Sequence, residues 1–204
     1  MKAVAERFTR GLPIGYRHAI EWLATIAFAL AVVGAAKAWV VSPYRIPTSS
    51  MEPTLHCARG GPLADGCEAR FSDRVLAARF VYYLRDPHRG DLVVFHVPPA
   101  AVRACFGAGG VFVKRLIGLP GETVSVGLDD RVRIDGKLLR EPYLKPDRLG
   151  GRHGTWKVPK GQYFFMGDNR ARSCDSREWG SVPRHNLIGP LIATYWPLNR
   201  VSTH

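Results

Sequence analysis

The stretch VRIDGKLL at 132–139 carries the clearest structural signal in this chain. Its central pair, Asp135 and Gly136, is a dipeptide that readily adopts the positive φ angles of a two-residue turn. Short apolar runs stand on both sides of that pair. The stretch therefore predicts a β-hairpin, with two antiparallel strands joined by a tight turn.

Short β-type runs broken by Gly, Pro and Asp continue on both sides of this hairpin. The strands predicted from them are 74–83, 91–97, 111–117, 123–126, 131–134, 162–166 and 187–196. Many short strands at close intervals predict a mainly β domain, built as an antiparallel sheet or a barrel-like sheet. The 21 glycines and 15 prolines also argue against a helical bundle.

A different pattern, WLATIAFALAVVGAAKAWVV, occupies residues 22–41, with Lys37 as its only charge. A helix of about twenty such residues would cross a bilayer, and the basic residues before it favour a cytoplasmic N-terminus. We therefore predict a cytoplasmic basic N-terminus at 1–19, a transmembrane signal anchor at 20–41 and an extracytoplasmic domain at 42–204. Two alternatives remain open: a buried core helix, and a signal peptide cleaved after Ala36-Lys37-Ala38.

The charge balance calls for an acidic partner. The chain has 204 residues, with 29 Lys and Arg against 17 Asp and Glu, a formal net charge of +12. This length excludes a large multidomain machine, and the moderate charge excludes a disordered polyelectrolyte. Because the domain is predicted to lie next to a membrane, anionic lipid headgroups are favoured over nucleic acid as that partner.

The cysteines favour disulfides over a metal site. Cys57, Cys67, Cys105 and Cys174 include no C-x-x-C pair, so we predict no metal ion and no cofactor. Disulfides are permitted outside the cytoplasm. Cys57 and Cys67 flank a short loop within the insertion at 56–72 and make the favoured bridge, while a Cys105–Cys174 bridge has no local support. Four unpaired thiols are the alternative.

Three segments have side chains suited to chemistry. At 45–55, hydroxyl groups lie between two prolines that restrict the backbone, which suits a serine presented in a fixed turn. At 111–122, Lys114 interrupts an apolar strand, and a buried lysine has a lowered pKa and can act as a neutral base. At 167–177, a dense polar turn follows an apolar strand. Each segment also has an ordinary structural interpretation, but their joint occurrence favours a hydrolytic site.

In these segments the chain resembles the bacterial type I signal peptidases, which are membrane-anchored proteases with a serine–lysine dyad. The resemblance covers nearly the whole chain and rests on four ordered motifs. They are SSMEPTL at 49–55, RGDLVVF at 89–95, VKRLIGLPGE at 113–122 and GDNRARSCDSREWG at 167–180.

The resemblance implies a role for each matching residue. It implies Ser50 as the nucleophile and Lys114 as the general base, with Thr48 and the Ser50 backbone N–H forming the oxyanion hole. It implies Ser173 as the residue that orients the lysine. The matching scaffold residues are Asp175, Arg177, Asp168 and Asn169, and the matching substrate-pocket residues are Tyr44, Ile46 and Val113. Ser50 Oγ and Lys114 Nζ are expected within or near hydrogen-bond reach.

The implied activity is removal of signal peptides from secreted preproteins at small-x-small sites near the outer face of the cell membrane. The expected partners are preprotein signal peptides and the lipid bilayer, with no nucleic acid, and the expected state is a monomer. A specialised processing peptidase of a conjugation or pilus system, with the same dyad, remains an alternative. A basic membrane-anchored protein that binds lipid or nucleic acid is a further one.

Overall fold

The computed structural model describes residues 13–60, 66–105 and 109–204. The chain forms two compact units that meet after Val41. In the first unit, residues Ile14–Trp39 form helix α1. Large apolar side chains of α1 are exposed, among them Trp22 at 69% and Leu23 at 67%. This exposure argues against the alternative of a buried core helix.

The predicted membrane span coincides with most of α1. Within 13–60, 66–105 and 109–204, however, no helix meets the combined length and apolar content that crossing a membrane requires. The transmembrane anchor at 20–41 therefore stays a prediction. Most of the predicted cytoplasmic N-terminus, residues 1–12, lies outside the described residues.

The second unit is mainly β, as predicted. Its strands begin with β1 at Val41–Arg45, directly after α1. The others are β2 (Arg74–Ala78), β3 (Leu92–His96), β4 (Val111–Gly118), β5 (Thr123–Val126), β6 (Val132–Ile134), β7 (Lys137–Leu138), β8 (Gly154–Lys157), β9 (Gln162–Met166), β10 (Val182–Pro183), β11 (Leu187–Trp196) and β12 (Ser202–Thr203). Short α-helices among the described residues of this unit are α2 (Val81–Leu84), α3 (Pro99–Ala104) and α4 (Ser176–Trp179).

In the described part of the chain these strands form two sheets. The larger has the order β1-β2-β11-β3-β4-β9-β10, with β12 added to β11, and the smaller has the order β7-β6-β5-β8. Every strand pair with a defined register is antiparallel. The predicted antiparallel fold class is therefore confirmed. Strands distant in sequence meet in the larger sheet, which brings the sequence motifs together.

The hairpin is confirmed in detail, and one predicted strand is too long. Asp135 and Gly136 have φ angles of 48° and 81°, and Ile134 pairs with Lys137 across the turn. The strand predicted over 74–83 instead ends at Ala78, because residues Val81–Leu84 turn into α2. The apolar and aromatic residues there suit either conformation, so periodicity could not separate them.

Three clusters of buried side chains stabilise the unit. One lies under the segment that follows β1 and includes Met51 and Leu55. A second is rich in aromatic rings and includes Phe95 and Trp179. The third joins the smaller sheet to β9 through residues such as Phe164. The residues of the first and second motifs thus lie directly on packed core, which limits their movement.

Candidate active site

Ser50 lies in a 3₁₀ turn, Ser49–Met51, between β1 and β2. Met51 and Leu55 are 1% and 0% exposed and fasten this turn to the core. The Ser50 side chain is half-buried. Its Oγ lies 3.3 Å from Thr48 Oγ1, so the two hydroxyl groups implied in the reaction are neighbours. The turn therefore presents a serine from a rigid base.

Lys114 is buried in the middle of β4, with 3% of its surface exposed. Burial penalises its charged form and lowers its pKa from 10.5 to about 8, although the carboxylates of Asp175 and Asp168 oppose the shift. Lys114 Nζ also lies 5.6 Å from the centre of the Phe112 ring. A substantial fraction of this lysine is therefore neutral near pH 8, as a general base requires.

The third motif is built around an ion pair between Asp175 and Arg177, which are 0% and 2% exposed. Arg177 Nε donates to Asp175 Oδ1 at 2.9 Å, and its Nη2 donates to Asp175 Oδ2 at 3.0 Å. Burial by itself would raise the pKa of Asp175, but the hydrogen bonds and charge of Arg177 hold it below its ordinary value. Asp175 Oδ2 also accepts the backbone N–H of Gly167 at 3.0 Å. The Asp175–Arg177 ion pair thereby holds Gly167, the first residue of the third motif, in place.

Gly167 is the point where the first and third motifs meet. A Cβ atom at this position would overlap both the Ser50 carbonyl oxygen and the Ser173 side chain. Only glycine fits there, and its small size lets Ser50 and Ser173 approach the same backbone segment. The Ser173 hydroxyl is buried and has no hydrogen-bond partner. An unpartnered buried hydroxyl is available to a group that moves towards it.

Asp168 and Asn169 bind the segment that carries Ser50. The Asn169 backbone N–H donates to the Ser50 carbonyl oxygen at 3.1 Å, and its Nδ2 donates to the Ser49 carbonyl oxygen at 3.1 Å. Asp168 is fully buried and accepts a 2.5 Å hydrogen bond from Thr54 Oγ1. These contacts support the scaffold interpretation of both residues.

Arg115, the neighbour of Lys114, completes this connection. Its Nε and Nη2 donate to the two oxygens of Asp168 at 2.8 and 2.6 Å, and its guanidinium carbon lies 3.8 Å from the centre of the Tyr143 ring. The buried carboxylate of Asp168 thus joins the segment that carries Ser50, through Thr54, to the strand that carries Lys114. A bidentate arginine–carboxylate pair gives such a junction a defined geometry.

The three residues matched to the substrate pocket lie in one cluster. Ile46 is 3% exposed, and Tyr44 and Val113 pack against the same buried group, which also contains Met51. Ile46 and Tyr44 come from the chain just before Ser50, whereas Val113 precedes Lys114. The apolar cluster that contains Met51, the neighbour of Ser50, is therefore built from the chain before Ser50 and from β4 beside Lys114.

The structure does not contain every expected contact. Among the hydrogen bonds of the described residues, none joins Ser50 Oγ to Lys114 Nζ, so their pairing stays a prediction. Within the same ranges, no group of three His, Cys, Asp or Glu side chains is arranged to hold a metal ion.

Both disulfides lie beside the site. Cys57 is bonded to Cys67, and Cys105 to Cys174. Cys174 directly follows Ser173. Gly66, next to Cys67, is close to both Ser49 Oγ and the Arg172 side chain. Each disulfide therefore restrains chain next to a residue of the first or third motif.

One buried ion pair of the site was not found by sequence reasoning. Arg170 Nη2 donates to Glu141 Oε1 at 2.5 Å, and the two side chains are 2% and 6% exposed. Arg170 Nε also donates to the carbonyl oxygen of Gly167 at 3.1 Å. Arg170 belongs to the GDNR motif, which could have drawn attention to it. Glu141 lies in a loop with no pattern of its own.

An antiparallel β domain that holds a serine in a rigid turn and a buried lysine of lowered pKa defines the class of this protein: it is a serine peptidase. The chain belongs to the signal peptidase family, peptidase S26, whose model matches residues 19–196.

The relatives of the chain carry the same family name. A signal peptidase I from Leptolyngbya laminosa is 36% identical, and the match covers 90% of this chain and 82% of the relative. A signal peptidase I from Bacillus licheniformis is 35% identical, with 89% and 90% covered. A crystal structure of a signal peptidase I from Enterococcus faecalis is 35% identical, covers 52% of this chain and 97% of that chain, and has a TM-score of 0.43.

Proposed function

We propose that this protein is a serine endopeptidase that removes signal peptides from secreted preproteins, with Ser50 as nucleophile and Lys114 as general base. The observation that carries the proposal is the buried Lys114, whose lowered pKa leaves it partly neutral next to the motif that contacts Ser50. The family and the names of the relatives support the same activity.

In the proposed reaction, neutral Lys114 Nζ takes the proton of Ser50 Oγ, and the oxygen attacks the scissile carbonyl carbon. The Ser50 backbone N–H and the Thr48 hydroxyl donate to the oxyanion that forms. The charged lysine then returns a proton to the leaving amine as the C–N bond breaks. Water hydrolyses the remaining ester on Ser50 by the same steps, and Ser173 orients the lysine throughout.

The proposed substrate is an extended preprotein segment that pairs with a sheet edge. In the structure β1 lies at one edge of the larger sheet, and the chain continues from its end to Ser50. Tyr44, Ile46 and Val113 would form shallow apolar pockets there, which accept small side chains and exclude large ones. This arrangement accounts for the proposed preference for small-x-small cleavage sites.

We further propose that α1 anchors the enzyme in the cell membrane, with the N-terminus cytoplasmic and the catalytic unit outside. The exposed apolar side chains of α1, which include Ile26, Phe28 and Leu30, support its contact with lipid. Anionic headgroups are the proposed partners of the basic charge. The catalytic unit is proposed to act as a monomer.

The test is cleavage of a preprotein by the detergent-solubilised full chain. Ser50→Ala and Lys114→Ala are expected to lose at least about a thousandfold in kcat, since each removes a member of the dyad. Ser202→Ala and Lys137→Ala, at exposed positions, are the matched controls and should cleave at the wild-type rate. Wild-type speed in either dyad variant would disprove the assignment.

The pH dependence tests the lysine separately from the serine. Because only neutral Lys114 can accept a proton, kcat should rise with pH and level off above an apparent pKa of about 8. A rate that stays constant down to pH 5 would contradict lysine as the base.

The choice of substrate tests the alternative function. If only substrates of a pilus or conjugation system are cleaved, the protein is better described as a specialised processing peptidase.

A further inference from the structure

After β11 the chain turns back and packs against the same sheet. Residues Leu198–Arg200 form a 3₁₀ turn, and β12 then pairs with β11. The backbone N–H of His204 donates to the carbonyl oxygen of Ile192 at 3.1 Å. This return brings Arg200 next to the segment that carries Ser50.

Arg200 holds two partners at once. Its Nε lies 3.0 and 3.3 Å from the two carboxylate oxygens of Asp73, and its Nη2 donates to Asp73 Oδ2 at 3.0 Å. The same Nη2 donates to the carbonyl oxygen of Thr54 at 3.1 Å. The Asp73 side chain is 0% exposed and that of Arg200 is 30% exposed. Removing a carboxylate from water is costly unless it is hydrogen-bonded, and Arg200 supplies charged donors to that of Asp73.

Asp73 in turn fastens the chain on both sides of Ser50. Before the serine, the Ile46 backbone N–H donates to the Asp73 carbonyl oxygen at 3.0 Å. After it, the His56 backbone N–H donates to Asp73 Oδ2 at 2.8 Å, and the Asp73 N–H donates to the His56 carbonyl oxygen at 2.9 Å. The backbone and the carboxylate of Asp73 therefore help to position segment 46–56, together with the contacts of Asn169 and Asp168.

Thr54 borders a cavity, where polar contacts and not apolar packing hold the chain. A cavity of about 370 Å³ is lined by Thr54, Arg115, Leu191 and His204, among others. The cavity is open on one side, so none of the described residues packs against Thr54 there, although its neighbour Leu55 is fully buried in the core. Beside the cavity, the chain is therefore held by the polar contacts of Arg200, Asp73 and Asp168.

We propose that Arg200 is a positioning residue for catalysis: through Asp73 and the Thr54 carbonyl it holds segment 46–56 so that Ser50 stays aligned for attack. The proposal rests on the proposed function, since it concerns the reaction at Ser50. Arg200 itself contacts neither Ser50 nor Lys114. Its effect should appear in the rate of the chemical step and not in the titration of the lysine.

The test compares Arg200→Ala with wild type in full-chain preprotein cleavage. We expect kcat to fall about 10- to 100-fold, as small misplacements of reacting groups do, while KM changes less than about twofold. The apparent pKa of the rate profile should not move. Ethylguanidinium should restore part of the lost kcat, because the Arg200 side chain is 30% exposed and solvent can reach the space it leaves. Arg200→Lys keeps the charge but lacks the planar fork, and should have an intermediate kcat.

Arg184→Ala is the matched control. Arg184 also bridges distant parts of the chain, through Asp86, the Tyr163 hydroxyl and the Tyr82 carbonyl oxygen, but it makes no contact with segment 46–56. It should retain wild-type kcat and show no response to ethylguanidinium. Amide hydrogen exchange in residues 46–56 should accelerate in Arg200→Ala and not in Arg184→Ala.

Several results would overturn the proposal. One is a folded Arg200→Ala or Arg200→Lys enzyme with kcat within about twofold of wild type. Another is a loss of kcat that follows thermal stability in all variants and is not restored by ethylguanidinium. If wild-type protein cleaves no preprotein, the proposed function fails, and the exchange measurement still decides whether Arg200 holds the segment.

Discussion

Burial of Lys114 affects the stability of the domain and, under the proposed mechanism, the rate of cleavage. The pKa of this lysine is 10.5 when exposed and about 8 in the folded protein. Between these values the unfolded chain binds more protons, so stability rises with pH from about 8 to about 10.5. Below pH 8 the charged lysine is buried at full cost, about 3 kcal/mol at 1.36 kcal/mol per pKa unit.

Lys114→Met should therefore be inactive and more stable than wild type at pH 7. We expect its free energy of unfolding in urea to be higher by up to about 3 kcal/mol, because an apolar chain of similar length replaces a buried charge. The difference should shrink as the pH approaches 10. Lys137→Met, at an exposed position, is the control and should change little. A less stable Lys114→Met at pH 7 would contradict the buried-charge explanation.

Removal of the Ser173 Oγ atom should affect catalysis without affecting the stability of the fold. Its hydroxyl is buried without a hydrogen-bond partner in the structure. Loss of such a group costs the folded state little, since no bond is broken. If the hydroxyl binds Lys114 during the reaction, however, its loss leaves the lysine poorly oriented.

Ser173→Ala should consequently unfold at the wild-type urea concentration and cleave preprotein about 10- to 100-fold more slowly, the usual size of a lost positioning contact. Ser202→Ala, on the exposed β12, is the control for both measurements. Equal kcat for Ser173→Ala and wild type would remove Ser173 from the mechanism.

Among the elements of the fold, the two disulfides differ in what they connect. Cys57–Cys67 closes a separation of 10 residues within one loop, whereas Cys105–Cys174 closes 69 residues and ties the end of α3 to the third motif. Chain-entropy estimates for these separations are about 3 and about 4 kcal/mol. The longer loop should therefore contribute more to stability, and it also ends beside Ser173.

Replacing both members of each bridge by alanine should reproduce this order. We expect urea unfolding to show the larger loss for Cys105→Ala with Cys174→Ala, and kcat at a permissive temperature to fall more in that variant. Cys57→Ala with Cys67→Ala is the matched comparison. A larger kcat loss from the Cys57–Cys67 replacement would contradict the link between the longer bridge and Ser173.

At the scale of the whole molecule, the basic charge is spread over both units. Residues 1–45 carry six basic and two acidic groups, and the rest of the chain keeps a basic excess. The apolar side chains of α1 are exposed along its length from Tyr16 to Val33. Apolar contact and attraction to anionic headgroups should therefore act together, and salt weakens only the second.

Vesicle flotation distinguishes the two contributions. The full chain should float with both neutral and anionic vesicles and stay bound in about 0.5 M salt, because apolar burial is not screened. A chain of residues 42–204 should bind anionic vesicles only, and only at low salt. Full-length protein that stays unbound in all conditions would contradict the membrane proposal.

Much of this protein could be predicted from local sequence. The hairpin at Asp135-Gly136 follows from turn chemistry, and most strands follow from short apolar runs. The burial of Lys114 follows from its place within an apolar strand, because alternate residues of a strand share a face. Each of these properties depends on residues that are close in sequence, so a local sequence pattern is enough to predict it.

The contacts that assemble the site depend on the tertiary structure. Arg200 meets Asp73 across 127 residues, and Arg170, in a short 3₁₀ turn, meets Glu141 in a loop. Loop residues have no periodicity that would reveal such partners, and the strand order of the larger sheet decides which loops meet. The motifs by themselves indicated which groups could react. Their alignment depends on buried ion pairs between distant segments, because only folding brings those charges together and removes them from water.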